Sequence, residues 1–313
     1  MLLPENIKSL DVSVGHAGRG QLLHSSRFEY RYLDIRADQS CVGLLMPLKA
    51  PIYQDTALFP VKDQNIPEGD LFLRLRQMFL KQAPGLAVNE YLYLKAASKA
   101  GIATPGFDLT HDGQMLLIDR FDIDAQGKRF GFEDIASLMG LRVRDTLAKR
   151  KFHSSYQRIA EILCMLSVSD EDLARFYAQA FSVMVSNGDG HLKNYGVLYD
   201  DSNLVRLSPM FDVVTTTIYR HARYLGDDDF VDQTLALKLF AGKGHKRSYH
   251  TRDELLTFGR SVCAVQNPEN VLFGLPMPLP RHLNKPEAMT GYQRSYSPKC
   301  QKLGKMDWIT PED

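Results

Sequence analysis

Apolar and polar positions change their period along the chain. From about residue 10 to 60 they come in short alternating runs. Residues 27–33 place Phe28, Tyr30 and Tyr32 on one face, which predicts a strand, and Gly15, Gly18 and Gly20 mark a turn before it. Pro47, Pro51 and Pro60 cut the next apolar stretch into pieces, so a small β-rich subdomain is expected to end near Pro67-Glu68-Gly69. From Asn89 the period becomes helical. Asn89 is a candidate N-cap for a helix carrying Leu92, Ala96, Ala97 and Ala100, with Gly101 as its stop. Strands are predicted at 102–109 and 115–121 around the turn His111-Asp112-Gly113. Helices follow at 132–139, 155–166 and 170–186, the last with a stripe through Leu173, Phe176, Tyr177, Ala180 and Val183. A hairpin closes this middle region, with strands at 195–199 and 204–207.

Composition narrows the class without deciding it. The 313 residues are 44% hydrophobic and 24% charged, enough for one or two domains with ordinary cores. A net charge of +1 removes the electrostatic case for a dedicated nucleic-acid or membrane-surface binder. The four cysteines (Cys41, Cys164, Cys263 and Cys300) form no C-x-x-C, which argues against a zinc ribbon or a disulfide scaffold. No secretory leader and no run of 18 apolar residues is visible, so a cytoplasmic protein with no membrane partner is expected. Seven of the 15 prolines fall from Pro268 onward, in a basic stretch expected to be extended or irregular.

The chemistry concentrates in Asn187-Gly188-Asp189-Gly190-His191-Leu192-Lys193-Asn194, on a loop between a helix and the hairpin. Past the hairpin, Asp212 ends the run Ser208-Pro209-Met210-Phe211-Asp212. The spacing Asp-x-x-x-x-Asn, then a hairpin and a further Asp, is the layout of a protein-kinase catalytic loop and metal-binding aspartate. Phosphoryl transfer needs a carboxylate to orient and deprotonate the attacking hydroxyl, which Asp189 could supply. It also needs oxygen ligands for Mg²⁺, which Asn194 and Asp212 could supply. Taken singly, each residue also has an ordinary role: Asn187 and Asp189 as turn residues, Asp212 as a helix cap and His191 as a hydrogen-bonded loop histidine.

The segment N-G-D-G-H-L-K-N-Y followed by L-S-P-M-F-D resembles the core signature of the HipA family, serine/threonine kinases that act as toxins of toxin–antitoxin pairs. Asn89-Glu90-Tyr91, Ala100-Gly101-Ile102 with Pro105, Ile118-Asp119-Arg120-Phe121-Asp122 and Glu133-Asp134 with Gly140 resemble further blocks of that family, in its order. The resemblance implies an α+β, kinase-like two-lobed fold: a HipA N-terminal-like β-rich subdomain (1–69), a kinase core (70–263) and a Pro-rich basic tail (264–313). It implies ATP and Mg²⁺ as cofactors, with Asp189 as catalytic base and Asn194 and Asp212 as metal ligands. His191 would lie beside the nucleotide, and Asp119 to Phe121 would form the hinge that touches adenine. Lys81 resembles the phosphate-contacting lysine, or is an exposed lysine of an amphipathic segment; Glu90 could pair with it. The implied protein substrate is an aminoacyl-tRNA synthetase. The implied partner is a helix-turn-helix antitoxin (HipB-like) that would make the DNA contact, so DNA is met only indirectly.

Two features depart from that pattern. The connector from Asp70 to Leu80 contains no Gly, Ser or Thr, whereas a phosphate-covering loop needs small residues so that backbone N–H groups can approach. The chain also turns proline-rich after Cys263, where the family has a helical lobe. An active kinase therefore stands beside a non-catalytic family member that binds antitoxin or nucleotide only. A metallophosphoesterase, suggested by the fragment Gly188-Asp189-Gly190-His191, lacks an accompanying G-N-H-D/E block.

Overall fold

The structure is a computed structural model that describes residues 9–14, 17–36, 40–63, 85–141, 154–179, 181–200, 204–221, 230–231, 234–242, 247, 250–274, 278–279 and 307–308. The N-terminal region is an antiparallel sheet in the order β1 (Ser9–Val14), β2 (Ala17–His24), β3 (Phe28–Tyr32) and β4 (Ile52–Asp55). The predicted alternation turns Tyr30 and Tyr32 inward, onto a small core with Val42, Met46, Phe59 and Val61. Gly18 and Gly20 are not turn residues but lie inside β2. The cause at Gly20 is a close approach: a Cβ there would stand 2.2 Å from the Arg31 carbonyl and 2.5 Å from the Tyr30 hydroxyl.

After α1 (Pro60–Asp63) come residues 64–84, which include Lys81 and the connector and lie outside the described residues. Helix α2 (Leu86–Lys99) has Gly85 at its N-cap, four residues before the predicted cap Asn89. Asn89 fails as a cap because its side chain is fully buried and bonded to a distant segment. The stop holds: Gly101 takes φ 75, which a glycine accepts without strain, and its N–H bonds the Ser98 carbonyl at 3.0 Å. Of the predicted strands at 102–109 and 115–121, only β5 (Phe107–Leu109) and β6 (Leu116–Ile118) pair, as a short hairpin.

The predicted helix 132–139 is corrected to a strand, β7 (Gly131–Asp134), followed by one helical turn, α3 (Ile135–Leu138). Long-range pairing wins over local period here: β7 pairs with β8 (Gly196–Tyr199), which pairs with β9 (Val205–Leu207) as the expected hairpin. Asp134 ends β7 and caps α3, its carboxylate accepting the Ser137 N–H at 2.7 Å. Helix α4 (Tyr156–Met165) is capped by Ser155 and α5 (Asp170–Ala178) by Ser169. The helix predicted to reach 186 breaks after α5, where buried Gln179 turns its amide to the Ser208 carbonyl at 3.4 Å, and resumes as α6 (Phe181–Met184).

Helix α7 (Arg252–Ser261) opens with a Thr251/Glu254 capping box. Helix α8 (Pro268–Gly274) follows, where an extended tail was expected. Proline suits the first turn of a helix, and Leu272 supplies burial in the main core. That core includes Leu94, Ile135, Ile159, Phe176, Leu192 and Phe258. Among the described residues no helix is long and apolar enough to cross a membrane.

The two cores meet at Glu133. Its carboxylate accepts the Leu44 N–H at 2.6 Å, joining β7 to the N-terminal subdomain, and it is 0% exposed. Burial pushes this carboxyl up to about 7, although the Leu44 N–H and the Tyr199 hydroxyl pull it down in part.

Candidate functional site

The polar loop follows α6. Asn187 is buried and shapes it: its Oδ1 accepts the Asp189 N–H at 3.0 Å, and its carbonyl accepts the Gly190 N–H at 3.4 Å. The Asp189 side chain is exposed, while its carbonyl accepts the His191 N–H at 2.7 Å. Leu192, fully buried, anchors the short 3₁₀ turn Leu192–Asn194. Asn194 closes that turn, donating its N–H to the His191 carbonyl at 3.0 Å and accepting the His191 N–H on Oδ1 at 2.9 Å.

The Asn194 carboxamide Nδ2 also donates to the Asp212 carboxylate, 18 residues away beyond the hairpin. Asp212 takes φ 54, a left-handed conformation that costs a non-glycine residue on the order of 1 kcal/mol. It is held from both sides. Before it, the Met210 N–H bonds the Ala103 carbonyl at 2.8 Å; after it, Thr215 is bonded to Asn89. Glu90 lies against the same residue: its carboxylate takes the Asp212 backbone N–H, yet burial first and the Asp212 charge second push its pKa up to about 8.

The loop and the Asp212 segment are also joined at Gly188. Its N–H donates to the Thr216 hydroxyl at 3.1 Å, and that hydroxyl donates to the Ser186 carbonyl at 3.2 Å. A Cβ at 188 would stand 2.4 Å from Thr216 Oγ1 and 2.8 Å from the Thr234 carbonyl, so only glycine fits. Lys193 points its charge toward buried Asp134. Burial raises the Asp134 pKa, and the Ser137 N–H and then Lys193 oppose that rise.

Of the predicted site residues, Asp189, His191, Asn194 and Asp212 share this bonded loop and segment. Phe121 stacks on Phe211, the neighbour of Asp212, with ring centroids 5.3 Å apart, and Phe132 meets both rings edge-on. Asp119 lies exposed after β6, with its N–H on the Gly106 carbonyl at 2.8 Å. Lys81 lies outside the described residues. Glu90 lies against Asp212, and its expected pairing with Lys81 falls outside the described residues.

The donor set suits Mg²⁺. The Asp212 carboxylate and the Asn194 amide oxygen are hard ligands, and Glu90 adds a second carboxyl beside Asp212 whose charge a divalent cation would offset. Among the described residues no group of three or more His, Cys, Asp or Glu could hold a metal. A site here would therefore draw its remaining ligands from water and phosphate, as Mg²⁺ sites usually do.

Residues 59–272, more than half of the chain, match the HipA-like C-terminal domain family. The chain belongs to that family, and its mixed helices and antiparallel sheets are the α+β class expected of it. Similar proteins include "Putative kinase Y4dM" of Sinorhizobium fredii, 28% identical over 44% of this chain and 36% of that protein. A "Putative kinase" of Haemophilus influenzae is 25% identical over 60% of this chain and 59% of that protein. The matches thus span about a third to three fifths of those relatives' lengths. Among solved structures, the HipA, HipB and operator DNA complex of Shewanella oneidensis MR-1 is 15% identical with a TM-score of 0.45, covering 97% of this chain and 66% of that one.

Sequence reasoning missed Asn89 and Thr216. A signal for Asn89 was available: with Tyr93, Ala96 and Ala97 it lies at i, i+4, i+7 and i+8 on the buried face of α2, where a polar residue needs a partner. Thr216 carried no such signal.

Proposed function

We propose that the chain is a serine/threonine-protein kinase that transfers phosphate from ATP, with Mg²⁺, to a protein hydroxyl. The observation that carries this is the Asn194–Asp212 hydrogen bond, which unites the two candidate metal ligands beside a loop that leaves the Asp189 carboxylate exposed. Asp189 would accept the proton of the attacking hydroxyl, and the bonds from Asn187 fix its backbone for that role. Asn194 and Asp212 would hold Mg²⁺, which supplies charge neutralisation at the phosphates. Phe121, packed on Phe211, would place the hinge, and His191 would stand beside the nucleotide.

By family resemblance, we take the protein substrate to be an aminoacyl-tRNA synthetase and the partner to be a helix-turn-helix antitoxin that makes the DNA contact. The near-neutral charge of this chain suits a DNA contact supplied by another protein.

One observation favours a second reading, nucleotide or antitoxin binding without transfer: the connector 70–80 has no residue small enough to cover phosphates closely. Radiolabelled ATP decides between them. Label incorporated into the protein itself or into a synthetase panel, and lost in Asp189→Ala, is the expected result. ATP bound in calorimetry with no Asp189-dependent transfer would overturn catalysis and leave the second reading.

A further inference from the structure

Asn89 sits in the first half of α2, fully buried, with both ends of its carboxamide used. Its Nδ2 donates to the Thr215 carbonyl at 2.9 Å and to the Tyr219 hydroxyl at 3.1 Å, and its Oδ1 accepts the Thr215 N–H at 3.2 Å. The side chain therefore pairs with both backbone groups of one residue, as a neighbouring strand would, across 126 residues of sequence. Thr215, also fully buried, lies three residues after Asp212. The next residue, Thr216, bonds the Gly188 N–H and the Ser186 carbonyl in the loop of Asp189. Helix α2, the Asp212 segment and the Asp189 loop are thus linked in series through two adjacent threonines.

We propose that Asn89 is a positioning residue for phosphoryl transfer: its amide clamps Thr215 and so sets the placement of Asp212 directly and of the Asp189 loop through Thr216. This deepens the kinase reading and rests on it. Asn89 touches no candidate ligand atom itself. A side chain serving only to fill the core would be apolar, since burying an amide gains little unless both its donor and its acceptor are matched. Here both are matched to the backbone N–H and carbonyl of one residue, Thr215, and that residue belongs to the segment that must hold its register for Asp212 to face Asn194. Neighbouring Glu90 takes the Asp212 N–H, so two successive residues of α2 grip the segment at two points.

The test uses the full chain in Asn89→Ala, Asn89→Asp, Thr216→Val and Thr216→Ser. Asn89→Asp keeps the acceptor for the Thr215 N–H and loses the donors. Thr216→Ser keeps the hydroxyl, whereas Thr216→Val keeps the shape without it. Amide hydrogen exchange without ligand should quicken in Asn89→Ala and Asn89→Asp over both 212–217 and 186–190. In Thr216→Val it should quicken over 186–190, and in Thr216→Ser it should match the wild type. Titrating Mg²⁺ against a fluorescent ATP analogue should raise the half-saturating Mg²⁺ about tenfold in the Asn89 variants, the usual cost of losing a residue that orients a metal ligand. Binding of the analogue without Mg²⁺ should not change.

Faster exchange confined to 212–217 would overturn the link to Asp189, and an unchanged Mg²⁺ requirement would overturn the role in positioning Asp212. A wild type that binds no Mg²⁺–nucleotide would defeat the kinase reading instead, and the exchange experiment would still decide whether the clamp couples the two segments. Should Asn89→Ala fail to fold, Asn89→Asp carries both readouts and Thr216→Val the exchange over 186–190.

Discussion

Glu90 and Glu133 are both acids pushed toward the neutral range chiefly by burial, yet they are partnered for different ends. Glu133 takes the Leu44 N–H from the other subdomain and has the Tyr199 hydroxyl beside it; the charge of Asp134 and, less strongly, that of Lys62 act on it in opposite directions. Two donors and a cation therefore stand against one neighbouring acid, although Oε2 itself has no hydrogen-bond partner among the described residues. Glu90 takes one N–H, from Asp212, and the charge it meets there is another carboxylate. A junction that only holds two subdomains together can settle its acid with donors. A site that received a cation, as we propose for the Asp212 segment, would keep acids facing one another, at a cost to stability that a bound ion would offset. The two buried acids thus differ in how many donors and cations are set against the neighbouring carboxylate, a difference that burial alone does not make.

Removing the Glu133 carboxyl should give the largest effect on stability. Glu133→Ala leaves the Leu44 N–H buried without its acceptor and opens a void between the cores, so a loss of about 3 kcal/mol is expected in urea unfolding. Mg²⁺ half-saturation in the folded protein should not move. If it does, the junction and the site are one unit and the contrast fails.

The pH dependence sharpens the same contrast. The Glu133 pKa stands near 7 when folded and near 4.5 when unfolded, so between those values the folded state holds the extra proton. Stability from this group is therefore full below pH 4.5 and falls as pH rises through 7, by about 3 kcal/mol in all. The groups facing it are Lys62, Asp134, Cys41 and Tyr199. Burial lowers the Lys62 pKa and raises those of Cys41 and Tyr199, and none of these groups cancels the direction for Glu133 itself. Glu133→Gln keeps an oxygen for Leu44 and has no charge to bury. It should be less stable than or equal to wild type at pH 5 and more stable at pH 8. Parallel slopes for the two proteins between pH 5 and 8 would remove the buried-proton account.

On the site side, Gly188→Ala drives a Cβ into the Thr216 hydroxyl and the Thr234 carbonyl. The hydroxyl can rotate away but the carbonyl cannot, so the Asp189 loop must shift. Overpacking of this kind costs about 1–3 kcal/mol, and misplacing a reacting group by an ångström can cost about a hundredfold in rate. Phosphoryl transfer should therefore fall far more than the unfolding midpoint does. A proportionate fall in both would place Gly188 with the packing residues.

What the sequence made legible followed from how local each signal was. The Asp-x-x-x-x-Asn spacing of residues 189–194, the β8–β9 hairpin and the Gly101 stop are written within a few residues, and their geometry is closed by bonds inside the same stretch. Residues 131–139 misled because Phe132 and Glu133 take their conformation from pairing with Leu198 and Val197, some 65 residues away, which no local period records. Asn89 misled in the other direction. A residue type that commonly caps helices was given a capping role, although its position on the buried stripe called for a long-range partner. Phe121 was placed by resemblance, and its aromatic contact with Phe211 becomes readable only once the two segments are packed together.

The smallest effect serves as the control for all the others. Thr251 caps α7 through a hydroxyl that accepts the Glu254 N–H at 3.3 Å, while the Glu254 carboxylate accepts the Thr251 N–H at 2.8 Å. Thr251→Ala removes the first bond and keeps the second, so the loss should lie at or below about 1 kcal/mol, the usual cost of an N-cap. Helix α7 carries Leu255 and Phe258 into the main core, so the loss should appear in the cooperative unfolding of the whole rather than as local fraying. The cap lies apart from both the junction and the Asp212 segment. Its variant should therefore lower the urea midpoint slightly and leave the Mg²⁺ requirement alone. A raised Mg²⁺ requirement in Thr251→Ala would mean that the Asp212 segment responds to any loss of stability in the fold, and the contrast between the two buried acids would lose its footing.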